Sequence, residues 1–234
     1  MKFPSPLLPG TLLRRYKRFL ADVRLDDGKE VTVHCANPGS MKGCAEPGWR
    51  VRISESPNPR RKLPHTLELV HNGVCWIGVN PALANAAVDE GLRAGMVPEL
   101  AGYDLIQREA RFGGSTRFDF LLTRGAERCF VEVKSVTLVG GDGFSAFPDA
   151  VTDRGLKHIR ELLSARDAGY RSVLLFVVQR SDGPAGFRAA HEIDPAYAAA
   201  LREAHGKGLE IFSHLASVDP SGILLSARRL ELKV

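Results

Sequence analysis

The stretch TRFDFLLTRGAERCFVEVKSVTL, residues 116–138, constrains the fold more than any other part of the chain. Two runs of apolar and β-branched residues flank Arg124-Gly125-Ala126-Glu127, with Gly125 as the turn residue, and this predicts a β-hairpin. With the loop centred between Gly125 and Ala126, Asp119 lies directly opposite Glu132, and Arg117 opposite Lys134. Side chains alternate faces along a strand, so Asp119, Glu132 and Lys134 are expected on one face. Two carboxylates directly across a ladder repel each other. A divalent cation between them removes the conflict, and oxygen ligands of this kind suit Mg²⁺ or Mn²⁺. A self-neutralising surface ladder is the other outcome, because exposed ion pairs are common and weak. The flanks weigh against it: Phe118, Phe120, Leu121 and Leu122 before the turn, and Phe130, Val131, Val133, Val136 and Leu138 after it, belong to strands covered on both faces, where an unpaired charge is expensive.

Charge is unevenly placed. Residues 1–70 carry 13 Lys/Arg against 7 Asp/Glu, a net of +6, which exceeds the +5 of the whole chain. The excess therefore lies in the first third, as expected of an N-terminal part that approaches a polyanion; a merely soluble basic domain is the plainer alternative. Arg14, Arg15, Lys17 and Arg18 form one cluster, and Arg60, Arg61 and Lys62 another. No run approaches the roughly 20 apolar residues of a membrane helix, and the proline-broken start MKFPSPLLPG is a poor signal peptide. Cys35, Cys44, Cys75 and Cys129 form no CxxC pair, which argues against a zinc site or a disulfide framework. A cytoplasmic protein without a membrane partner is expected.

Residues 11–80 read as all-β, with strands at Tyr16–Leu25, Glu30–Ala36, Arg50–Glu55, Thr66–Val70 and Val74–Val79 separated by Gly, Pro and Asn turns. Five short strands suit a small barrel, of which an OB fold is one form. Within it, Asn37, Gly39, Ser40 and Lys42 form a loop whose backbone N–H groups can receive phosphate, or else a tight turn with no ligand. Tyr16, Phe19 and Trp49 offer either stacking faces or core. His34, His65 and His71 lack metal-ligand spacing. The domain boundary is set near Asn80-Pro81, giving domains 1–80 and 81–234, with Pro81 opening a helix to about Arg93 that Gly91 can end early. A strand at Tyr103–Phe112 precedes the hairpin, and a Gly-rich loop leads from it to Phe147-Pro148-Asp149, where Asp149 is a turn, a cap or a catalytic acid. Thr152 or Asp153 caps a helix from Gly155 to about Ala168. Ser172–Gln179 is a fully buried strand after a helix, as a βαβ crossover requires. A helix at Ala196–His205 and late strands at Leu209–Phe212, Ile223–Leu225 and Leu230–Lys233 complete a mixed α/β sheet flanked by helices.

Asp119, a turn and Glu132-Val133-Lys134 have the form of the PD-(D/E)xK nuclease core, and the segments HCANPGSMKGC, RFDFLL, CFVEVKSVTL and FPDAVTDRGLKHIREL resemble the sugar fermentation stimulation protein A family. The resemblance runs through essentially the whole chain. It implies an N-terminal OB-like barrel followed by a PD-(D/E)xK nuclease-like domain, and an association with DNA binding and with regulation of sugar utilisation. On it, Asp119, Glu132 and the Val133 carbonyl hold the cation, Glu90 joins them from the helix before the hairpin or is simply exposed, and Lys134 steadies the attacking water or a nonbridging oxygen. Arg154 and His158, from an RGxKH element, face phosphate or the leaving group, or else solvent. Gln179 lies near the site as a hydrogen-bonding neighbour of metal water.

Three functions stay open at this point. One is a Mg²⁺- or Mn²⁺-dependent DNA nuclease, a hydrolase whose DNA contacts come from Arg14, Arg15, Lys17, Arg18, Lys42, Arg60, Arg61 and Lys62. Another is a DNA-binding regulator with a non-catalytic nuclease-like domain. The third is a sugar or nucleotide enzyme reusing the metal site. Single or double strands, DNA or RNA, and a monomer or a homo-oligomer are not separable from sequence.

Overall fold

The computed structural model describes residues 1–234 other than Ser115 and Pro184. The chain first forms β1 (Leu8–Tyr16), β2 (Leu20–Leu25), β3 (Glu30–Cys35), β4 (Arg50–Glu55), β5 (His65–His71) and β6 (Trp76–Gly78). β1 pairs antiparallel with β2 and β4, and a parallel β3–β5 contact closes the barrel with OB connectivity. Leu12, Ala21, Val23, Val33, Ile53 and Leu67 fill it.

The long strand expected at Tyr16–Leu25 is instead the end of β1, a turn and β2. Lys17 and Arg18 take left-handed backbone angles (φ 46° and 64°), so the chain reverses there without a glycine or asparagine to announce it. β1 itself is masked in the sequence by Pro9 and Gly10; Gly10 sits where a Cβ would meet Val23 Cγ1 at 2.7 Å, so only glycine lets β1 and β2 approach.

The second domain contains α1 (Pro81–Arg93), β7 (Leu105–Phe112), β8 (Thr116–Arg124), β9 (Glu127–Val136), β10 (Leu138–Val139), β11 (Ser145–Phe147), α2 (Asp153–Asp167), β12 (Arg171–Val178), β13 (Phe187–Ala189), α3 (Pro195–Gly206), β14 (Glu210–Asp219), β15 (Gly222–Arg229) and β16 (Leu232–Lys233). Its main sheet runs β15-β14-β12-β9-β8-β7, with β9, β12 and β14 parallel. α1 covers one face with Ala84, Ala87, Val88 and Leu92. α2 and α3 cover the other through Ile159, Leu162, Tyr197 and Leu201. Asn80 caps α1 by accepting from Ala82 N, and the helix runs on through Gly91, where a Cβ would meet Leu225 at 2.8 Å. Thr152 caps α2, its hydroxyl accepting from Gly155 N at 3.0 Å. A second, four-stranded sheet of β10, β11, β13 and β16 is not expected from the sequence.

The domains are tied together. Lys2 bridges to Gly222, and Met1 and Leu7 are buried in the core under α1, so the first residues pack on the second domain rather than on the barrel expected over 1–80. Across the junction Gly78 N donates to Gln179 O and Arg180 donates to Gly43 O. No helix among the described residues is long and apolar enough to cross a membrane.

Candidate metal centre in the interdomain cleft

The hairpin of β8 and β9 has the register that the turn at Gly125-Ala126 dictates, from Arg124↔Glu127 to Phe120↔Val131. There the ladder stops. Phe120 and Leu122 pack under α1, whereas Phe118 packs under α2 and α3, so β8 turns over at Asp119. On the neighbouring strand β7, Glu109 takes φ 54° between the paired residues Arg108 and Ala110. Asp119 is therefore not a ladder partner of Glu132, and Arg117 faces Arg111 of β7 rather than Lys134. The opened edge of β9 forms the floor of a cleft of about 470 Å³.

Asp119 and Glu132 line this floor with Lys134 and His158. Asp119 accepts from the Val133 N–H through Oδ2 (2.8 Å) and from Asn85 Nδ2 of α1 through Oδ1 (2.7 Å). Even with these bonds its carboxyl is pushed up to about 6, chiefly by burial and then by the charge of Glu132. Glu132 is 4% exposed. Burial raises its pKa too, but the His158 hydrogen bond and the charge of Lys134 outweigh this and hold it below the ordinary carboxylate value. Lys134 Nζ donates to Glu132 Oε1 (2.7 Å), the ring Nδ1 of His158 contacts the same oxygen, and Arg154 Nε donates to His158 Nε2 (3.3 Å). Lys134 Nζ also lies 2.8 Å from that Nδ1, so Glu132, Lys134 and His158 form one cluster.

Among the described residues no group of three or more His, Cys, Asp or Glu converges on a metal position. Two carboxylates and the Val133 carbonyl remain as oxygen donors. That set fits Mg²⁺ or Mn²⁺, which keep several waters and need only one or two acids, and the mutual repulsion felt at Asp119 is what a cation would relieve.

Glu90 corrects one expectation. It points away from the cleft, 62% exposed, in an ion pair with the Met1 ammonium at 2.8 Å. The helix contributes Asn85 instead. Asp149 is corrected as well: its carboxylate accepts from Met41 N (2.9 Å), and Ser40 Oγ donates to its backbone carbonyl (2.6 Å). The loop read as a phosphate cradle thus receives the protein's own anion, and a Cβ on Gly39 would collide with it. One further group has no sequence signal: the Tyr197 hydroxyl is buried without a hydrogen-bond partner among the described residues, and burial and the charge of Glu132 raise its pKa well above normal. Gln179, expected near the site, donates to Ser135 Oγ (2.6 Å), a residue of the cleft lining, with its own Oε1 buried and unpartnered among the described residues.

The basic residues divide. Arg14 is ion-paired with Asp22 (2.8 Å). Arg15 clamps the carbonyls of Arg18, Asn37, Gly39 and Ser40, a structural duty. Arg18 lines the cleft, holding the Pro38 carbonyl at 2.7 Å. Lys17, Lys42, Arg60 and Lys62 are exposed, and Arg61 is partly so, with no ion pair among the described residues. Of the three aromatics, Trp49 packs on the barrel core and Tyr16 donates to Asp22, while Phe19 is exposed.

A closed OB-type barrel joined to a PD-(D/E)xK nuclease-like sheet, with paired acids where the core hairpin splits, defines the structural class. Residues 13–79 match the SfsA N-terminal OB domain, and residues 82–222 match the Sugar fermentation stimulation protein RE domain. The chain belongs to the sugar fermentation stimulation protein family. A sugar fermentation stimulation protein homolog of Geobacter sulfurreducens is 53% identical over 228 residues, covering 97% of each chain. One from Ruegeria sp. is 48% identical, covering 95% of this chain and 97% of its own. The structure of Pyrococcus furiosus SfsA in complex with Ca²⁺ superposes with a TM-score of 0.90 at 27% identity, covering 100% of this chain and 98% of that one.

Proposed function

We propose that this protein is a divalent-cation-dependent phosphodiesterase acting on DNA. The observation that carries the reading is the pairing of partly buried Asp119 with buried Glu132 at the floor of a cleft that also holds Lys134, where burial and then the charge of Glu132 push the Asp119 carboxyl up to about 6. The related Pyrococcus furiosus SfsA forms a complex with Ca²⁺, which is consistent with a cation in this cleft. A cation held by Asp119, Glu132 and the Val133 carbonyl would neutralise charge on the phosphoryl transition state and activate a water. Lys134 is the point charge for a nonbridging oxygen. His158 orients Glu132, and Arg154, exposed on the cleft wall, meets the phosphate on the leaving side. Lys17, Arg18, Lys42, Arg60, Arg61 and Lys62 supply the sequence-independent attraction to the backbone.

Mn²⁺ titration by calorimetry tests the cation: binding in the parent and a large loss in Asp119→Asn are expected, and equal binding in both sinks the site. Cleavage of labelled DNA tests the chemistry. Lys134→Met is expected to lower the rate by about a hundredfold or more, the scale of one lost electrostatic donor, with DNA binding retained. No metal-dependent cleavage by the parent on any DNA returns the protein to a binding-only role. Cleavage that survives Asp119→Asn, Glu132→Gln and Lys134→Met alike belongs to a contaminant.

A further inference from the structure

The cleft also bears on what kind of nucleic acid reaches the acids, an inference that rests on the phosphodiester reading above. Its two walls come from different domains: Arg18 and Asn37 to Gly39 from the barrel, and Pro148 to Thr152 with Arg154 from the second domain. The walls are fastened to each other at Asp149, whose carboxylate receives Met41 N, while Gly39 leaves no room for even a methyl group. The cleft is therefore bridged by the protein's own hydrogen bond. Its volume of about 470 Å³ falls in the range of about 300–1,000 Å³ that encloses one small molecule. Glu132, only 4% exposed, lies at the bottom. A flexible single strand can bend one phosphate down to that depth, which a duplex, stiff over about 150 base pairs, does less readily.

The rim supplies the second observation. Phe19 is 43% exposed, held outward by the left-handed turn at Lys17 and Arg18. The Arg18 guanidinium lies 5.7 Å from the centre of its ring and also lines the cleft. Val151, 71% exposed, stands on the opposite wall. An aromatic face beside a cationic group is how proteins hold unpaired bases, whose π-faces are free only when the strand is not stacked in a duplex. On the outer face of β2 and β3, where OB barrels commonly take oligonucleotides, the charged groups already have partners: Arg14 with Asp22, Arg24 with Glu30, and Thr32 Oγ1 donating to Asp22.

We infer that the cleft admits a single unpaired strand of nucleic acid, with a base stacked on Phe19, a phosphate on Arg18, and the strand descending past Val151 to the acids. A duplex enters only where it is frayed. The probe is a fluorescent oligonucleotide of about twelve nucleotides, offered as a deoxy strand, a ribo strand and a blunt duplex. Anisotropy is read without divalent cations, so that binding is separated from cleavage. One or both single strands should bind at least about tenfold tighter than the duplex. Phe19→Ala should weaken that binding by about ten- to a hundredfold, the scale of one lost stack, and Phe19→Trp should retain it. Thermal melts confirm that both variants fold. Duplex binding equal to single-strand binding, or a folded Phe19→Ala protein with unchanged affinity, overturns the inference. Phe19-dependent single-strand binding without cleavage in added Mg²⁺ upholds it and removes the phosphodiesterase. Duplex cleavage indifferent to Phe19 does the reverse.

Discussion

Two carboxylates, Asp149 and Asp119, face the same cleft and are treated differently. Asp149 receives a backbone N–H from Met41 and a longer contact, 3.4 Å, from Ser40 Oγ, and it joins the domains. Asp119 also receives a backbone N–H, from Val133, and a side-chain donor, Asn85. Its pKa is nonetheless pushed up to about 6. Burial beside a second carboxylate, Glu132, raises it, and the two donors at Asp119 do not offset this. The first site is complete within the chain, and the second calls for a positive charge from outside.

Removing each acid sharpens the contrast. Asp149→Ala should cost about 2–4 kcal/mol in denaturant unfolding, because hydrogen bonds to charged groups contribute about 1.5–3 kcal/mol each and the donors of the loop lose their partner. Mn²⁺ binding should survive in the folded fraction. A loss below about 0.5 kcal/mol would show that Asp149 does not join the domains.

The pH dependence comes next in size. Asp119 has an ordinary value of 3.8 and a folded value of about 6, so the protonated form is the one the fold favours. Its contribution to stability is full below pH 4 and is lost as pH rises through 6. Without divalent cations, the parent should lose on the order of 2–3 kcal/mol relative to Asp119→Asn between about pH 4 and 7. Mn²⁺ affinity should rise over the same window, since the cation competes with that proton. Parallel stability profiles for parent and variant would contradict the assigned repulsion.

The smallest effects lie on the barrel. Arg14 is exposed and already paired with Asp22, so Arg14→Gln should leave stability nearly unchanged and the salt dependence of DNA binding intact. Lys17→Gln, which breaks no ion pair among the described residues, should reduce the slope of log K against log salt by about 0.9. Equal effects from the two would mean that internal pairing does not decide which cations meet the polyanion.

Much of this arrangement is legible in the sequence because local rules govern it. Turn chemistry at Gly125 sets the β8–β9 register, and Pro81 and Thr152 mark helix starts. What stays hidden depends on long-range contact. The split at Asp119 follows from β8 turning over against β7, which hairpin pairing rules do not contain. Glu90 stands out by its charge, whereas Asn85, the residue that reaches Asp119, is an unremarkable amide in a helical run. Tyr197 approaches Glu132 only after α3 has folded back over the sheet. The turn at Lys17 and Arg18 lacks glycine, so β1 and β2 read as one strand from sequence. In the small sheet, β16 lies within the strand expected at Leu230–Lys233, whereas β10, β11 and β13 are two or three residues long, too short for periodicity to register.

The bond from Val133 N–H to Asp119 gives the molecule a resident reporter. That amide gives its proton to a carboxylate rather than to a neighbouring strand, so its magnetic environment follows whatever happens to the acid. Protonation of Asp119, or a cation taking one of its oxygens, weakens the acceptor and moves the ¹H resonance of this one amide, while the ladder amides from Val131 towards the turn stay still. A single peak in a ¹⁵N-labelled spectrum therefore reads the state of the centre directly, in solution, without substrate and without turnover.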